Sequence, residues 1–127
     1  MENNFTCSIR ENGIAIESGN EKFIIAFERL NRQGHKATGF AEEKGGKLPT
    51  INQAMVIKEN LEQINETLKE AGKPILRGTV WLEDMDPHRA THKRTFDLGN
   101  GFITGFAIAS SCGICVILPF TDKTKKK

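Results

Sequence analysis

The stretch Ser110-Ser111-Cys112-Gly113-Ile114-Cys115-Val116-Ile117-Leu118-Pro119-Phe120 admits three readings. Its two cysteines, separated by two residues, form a redox pair, half of a metal site, or two small residues of a buried strand. A redox pair of this spacing sits where a strand meets a helix, because the helix N-terminus stabilises the thiolate. Here Gly113 follows Cys112, and a largely β-branched run leads directly to Pro119, so no helix follows. The stretch reads as a last, almost wholly apolar strand over Cys115–Phe120, with soft, small residues at its entry.

Working outward from that strand, Arg94–Leu98 alternates, Gly99-Asn100-Gly101 makes a hairpin turn, and Phe102–Ala109 pairs back. Thr79–Leu82 is a short strand that ends in the acidic Glu83-Asp84 and Asp86-Pro87 turn. Upstream of it, Ala54, Ile57, Leu61, Ile64, Leu68 and Ala71 recur at intervals of three and four. Thr50 and Gln53 form a capping box ahead of that stripe, while Gly72 closes it and Pro74 prevents its resumption. The pattern predicts one helix over 51–71. Residues 13–17 alternate as an early strand, and Phe23, Ile24, Phe27 and Leu30 suit a helix over 21–33 that ends at Gly34. The Phe-Ile-Ile-Ala-Phe run within it also suits a strand. Residues 34–47, rich in Gly and Lys, read as an irregular connection.

The chain has 127 residues, 38% hydrophobic and 27% charged, which suits one globular domain with a core that needs no disulfide staples. A formal charge of +2 is too small to indicate nucleic acid, and much of it belongs to Lys123, Lys125, Lys126 and Lys127. The expected organisation is a domain over 1–120 and a basic tail over 121–127. No apolar run approaches the ~20 residues that span a bilayer. The start lacks the basic and apolar regions of a secretory signal. As written, the chain reads as cytoplasmic; with a missing leader it would be secreted or at the cell surface. Three cysteines, an odd number, fit a reducing compartment.

Several stretches together resemble a known family. Gly46-Lys47-Leu48-Pro49-Thr50 is similar to the "RLPT" signature that opens the second helix of bacterial C-type-lectin-like modules, a group that includes relatives of the formylglycine-generating enzyme. Ile64-Asn65-x-x-Leu68-x-x-x-Gly72 resembles that helix's ending, and Val80-Trp81 the start of the next strand. Phe96–Gly101 resembles the hairpin before the final strand, and Val116–Phe120 the closing strand. The resemblance covers residues 46–120. It lacks the tryptophan before the signature, the serines after the later tryptophan, and the arginine of the closing strand. It implies an α+β, C-type-lectin-like fold: two helices packed on a small twisted, mainly antiparallel sheet, with the N- and C-terminal strands paired, residues 13–17 beside 115–120. It also implies a binding module that displays its ligand loops at one end of the sheet.

The function expected is therefore non-catalytic binding of a protein or glycan through residues 35–47 and 83–93, without a cofactor. Trp81, Glu83, Asp84, Asp86, His88, Arg89 and His92 are the candidate contacts. The Glu-Pro-Asn and Trp-Asn-Asp motifs of calcium-dependent sugar binding are absent. Lys44-Gly45-Gly46-Lys47 lacks the spacing and the preceding strand of a phosphate loop. The rival reading is a zinc or redox domain in which His88 and His92 join Cys112 and Cys115, since imidazole and thiolate suit tetrahedral zinc. The cysteine spacing does not reproduce that of the formylglycine-generating relatives, so their oxidation chemistry is not carried over. Carboxylates and histidine suit acid–base work, but no nucleophile or orienting partner accompanies them.

Overall fold

The computed structural model describes residues 5–19, 21–28, 30–85 and 91–120. The basic tail over 121–127 and the sites Asp86, His88 and Arg89 lie outside them. The chain is α+β, with three helices and two sheets and no barrel among the described residues.

The first sheet contains β1 (Thr6–Ile9), β2 (Gly13–Ser18) and β3 (Glu21–Ala26), joined at its far side by a strand from the C-terminal end. The helix expected over 21–33 does not form. Phe23, Ile24, Ile25 and Ala26 are all buried, because β3 lies between two strands and both of its faces are covered. A strand without a wet face shows no period-two alternation, so its apolar run imitates a helical stripe. β4 (Leu30–Gln33) follows, and α1 (Gly34–Glu43) begins where the expected helix was to end. Gly34 is thus an entry residue and not a cap. A side chain there would meet the Trp81 ring at 3.0 Å. Gly34, Ala37 and Ala41 are buried positions of α1. Its end is a Schellman motif: Gly45 has φ +84, and the amides of Gly46 and Gly45 donate to Ala41 and Glu42 at 2.9 and 3.0 Å.

The capping box is present. The Gln53 amide donates to Thr50 Oγ1 at 3.1 Å, and the Thr50 amide donates to Gln53 Oε1 at 3.0 Å. The single helix expected after it is instead α2 (Ile51–Glu59) and α3 (Leu61–Glu70), divided at Asn60, whose φ and ψ are −121 and 23. The Asn60 amide side chain donates to the Val56 carbonyl at 2.9 Å, a local bond that competes with regular helix geometry. The apolar stripe survives the break, with Ala54, Ile57, Ile64 and Leu68 buried. Asn65 then ties the following segment down, accepting from the Leu76 amide at 2.8 Å and donating to its carbonyl at 2.9 Å.

The second sheet runs β4-β8-β5-β6-β7, with β5 (Thr79–Met85), β6 (His92–Asp97), β7 (Ile103–Ala107) and β8 (Ser111–Ile114). Only β5 and β8 are parallel within it, meeting at Val80 and Gly113. The Gly99–Gly101 hairpin forms as read, with Asp97 Oδ1 accepting from the Gly99 and Asn100 amides at 2.7 and 3.2 Å.

The last strand, expected over 115–120, is confined to 117–119, and a strand not expected, β8, precedes it. β8 belongs to the second sheet and β9 (Ile117–Pro119) to the first, and Cys115-Val116 carries the chain between them. β9 pairs with Phe23–Ile25, not with residues 13–17, which are one strand farther away. The two ends therefore share a sheet without touching, because the unexpected strand β3 separates them. Ile14, Ile16, Phe23 and Ile25 bury one face against Ala54, Ile57, Ile64 and Leu68. Ala15, Ile24 and Leu118 bury the other in a second core with Ala37, Ala41 and Trp81. If the α3 stripe holds the first core, Ile64→Ala lowers unfolding free energy by ~2–5 kcal/mol in urea titration, whereas a loss below ~1 kcal/mol would contradict that packing.

Candidate functional site

The two segments read as binding loops converge, although α1 supplies most of the first. The Glu83 amide donates to the Pro49 carbonyl at 2.9 Å, and Lys47 Nζ lies 3.8 Å from Glu83 Oε1. Lys47 also bridges β9: its amide donates to the Ile117 carbonyl at 2.9 Å, and its carbonyl accepts from the Ile117 amide at 2.7 Å. This places the 44–49 connection along the outer edge of β9. Gly46 permits the approach, because any Cβ there would overlap the Ile117 carbonyl.

A cleft of about 330 Å³ opens where this connection meets the first sheet. Phe23, Leu118 and Pro119 supply apolar lining, and Lys22, Lys47 and Gln53 supply the polar groups. That volume is at the lower end of small-molecule sites. The cleft was not read from the sequence, since β3 and β9 had to be placed side by side before Lys22 could meet Lys47. Lys47 itself stood in the segment named.

The named contacts are distributed unevenly. Glu83 and Asp84 are exposed at the end of β5. His92 is half-buried at the start of β6, with Nδ1 3.0 Å from Thr91 Oγ1. Trp81 is fully buried: its indole N–H donates to the Arg32 carbonyl at 2.8 Å, and its ring meets Phe106 edge-on at 6.5 Å. It is a core residue, so it presents no ring to a ligand.

The thiols do not converge. Cys112 belongs to the core beneath α1, while Cys115 belongs to the core beneath α2 and α3. Burial pushes the Cys112 thiol above its ordinary range, away from the thiolate that metal binding or redox exchange needs. Among the described residues, no group of three or more His, Cys, Asp and Glu gathers as metal ligands would.

Lys93 is not among the residues that the sequence pattern singles out. It is 3% exposed, and its ammonium donates to the Glu83 carbonyl at 3.0 Å. The β5–β6 register shifts between Trp81 and Met85, so this carbonyl sits in a bulge, where a long cationic side chain can serve it. Its signal was the phase it shares with Thr95 on β6, both of which are buried. Desolvation pushes the Lys93 ammonium below the ordinary lysine range, and Asp84 and then Glu83 pull partly against that shift.

No known family model, curated protein or solved structure matches this chain. No described helix is long and apolar enough to cross a membrane.

The lowered Lys93 value has a sign that can be tested. Between it and the ordinary 10.5, the unfolded chain binds more protons than the folded one, so stability rises with pH across that window. Below the folded value the penalty is complete. Urea titrations of the native chain and Lys93→Met from neutral pH to pH ~10 should show the native chain gaining on the variant as pH rises; parallel profiles would contradict the assignment.

Proposed function

We propose that this chain is a non-catalytic binding module of C-type-lectin-like architecture, which takes a small anionic ligand, an acidic sugar unit, in the cleft beside Lys47. The observation that carries the reading is the joining of two segments distant in sequence, 44–50 and 83–84, next to a small-molecule-sized cleft lined by apolar residues and by Lys22 and Lys47. The apolar lining suits the hydrocarbon face of a sugar ring, and Lys22 and Lys47 suit a carboxylate.

Three further observations support the lectin-like reading. N-terminal and C-terminal strands share one sheet, a capped helix pair packs on it, and a second sheet carries the hairpin at 99–101. The binding reading is favoured over the zinc or redox alternative because Cys112 and Cys115 enter different cores and offer no common ligand sphere. In this reading Glu83 orients Lys47 at the cleft mouth, and Asp84 and His92 flank the same end of the second sheet.

NMR titration with glucuronate, and with glucose as the neutral control, tests the proposal. The acidic sugar should produce saturable shifts at the Gly45, Gly46, Lys47 and Gln53 amides at millimolar concentration, and the neutral sugar should not. Lys47→Ala and Lys22→Ala should each weaken binding about fivefold, the loss of ~1 kcal/mol expected for one exposed charge-assisted contact. Shifts confined to other surfaces, or none, would overturn it.

A further inference from the structure

The second sheet ends on β7, and its register shows which groups that edge leaves open. The Asp97 amide donates to the Phe102 carbonyl at 3.0 Å, and the Ile108 amide donates to the Thr91 carbonyl at 2.9 Å. Even-numbered residues of β7 therefore face β6 with their backbone groups, and Ile103, Gly105 and Ala107 direct theirs away from the sheet. Of those outward groups, the Ala107 carbonyl accepts from the Ser110 amide at 2.8 Å.

Exposed edges are ordinarily blunted by brevity, charge, proline or a covering segment. The other edges here follow that rule. β1 and β4 have four residues each, β4 carries Arg32 and is flanked by α1, and the outer side of β9 is occupied by Lys47. β7, at five residues, is only one longer, but it carries no charge or proline, and no described segment covers its edge. From Leu98 through Phe120 the sequence contains no Asp, Glu, Lys or Arg. Of five large apolar side chains exposed among the described residues, three stand at this edge: Phe102 at 67%, Ile103 at 40% and Phe106 at 39%.

We propose that β7 is the contact surface for a second copy of this chain, pairing antiparallel with its counterpart about a two-fold axis at Gly105. That register sets Ile103 opposite Ala107 of the second copy and Thr104 opposite Phe106. Each open N–H and C=O then finds a partner, the Ala107 carbonyl accepting a second bond beside the one from Ser110, and the two five-stranded sheets become one. The absence of charge suits a second copy better than a charged strand. Like charges directly opposite each other are what forbid self-pairing, and this edge brings none. A charged partner strand would instead set its charges beside Phe102 and Phe106 without a counter-ion. Area sets the strength. With a phenylalanine worth about 150–250 Å², the three exposed side chains offer on the order of 300 Å² per copy, well short of the ~800 Å² per partner of a stable complex. The dimer is therefore weak and concentration-dependent.

Sedimentation velocity of the full chain from about 5 to 500 μM tests this, with circular dichroism verifying that each variant is folded. The native chain should shift from monomer to dimer across that range. Ile103→Lys or Ala107→Glu alone should weaken association about tenfold or more, by placing an unpaired charge in the contact. The double variant should recover to within about threefold of the native chain, because each new ammonium faces a new carboxylate across the axis. A monomer at 500 μM, a dimer indifferent to both single variants, or a double variant that fails to recover would each overturn the proposal. Capture of an extended peptide by a chain that stays monomeric would overturn it as well.

Discussion

The ladder between Phe23–Ile25 and Ile117–Pro119 is the contact on which the rest of the molecule depends. It holds the C-terminal end of the chain against an N-terminal strand, and every residue in its β3 half is buried. Phe23 and Ile25 enter the core beneath α2 and α3, while Ile24, between them, enters the core beneath α1. One strand thus serves as the wall between two cores. A break in this ladder would expose both cores, and it would also remove the surface on which the 44–49 connection lies.

A second consequence concerns the passage between sheets. Cys115 and Val116 leave β8 and enter β9, and their side chains go to opposite cores. The same arrangement that lets one apolar segment serve two sheets sends the two thiols into different cores. The motif that resembles a metal or redox pair on paper is therefore two packing residues, each filling a different side.

Legibility followed the number of wet faces. α2 and α3 have one, so their apolar stripe, the Thr50–Gln53 box and the Gly72 stop were all readable in the sequence. The break at Asn60 was not, because one side-chain bond to Val56 leaves the periodicity intact. β3 has no wet face, so its apolar run imitates a helical stripe. β1 escaped notice for the opposite reason: three of its four residues are exposed, so it carries almost no apolar signal. Of the site, Lys47, Glu83 and Asp84 were visible as charges near turns. Lys22 became relevant only through the pairing of β3 with β9, and Lys93 only through the bulge opposite it.

The distribution of charge ties the packing to the surface. Residues 111–118 lack charge because most of them are interior, which needs no further cause. The same explanation fails for residues 102–107, where Phe102, Ile103, Thr104 and Phe106 are exposed. In a chain that is 27% charged, a solvated edge would be expected to carry at least one ionic group. The charges near this end sit instead on β5 and β6, at Glu83, Asp84, Lys93 and Arg94. There Lys93 spends its ammonium on a backbone carbonyl inside the bulge. The second sheet thus grades from a charged, hydrogen-bonded middle to an apolar, unfilled margin, the reverse of what solvent alone would select at an edge.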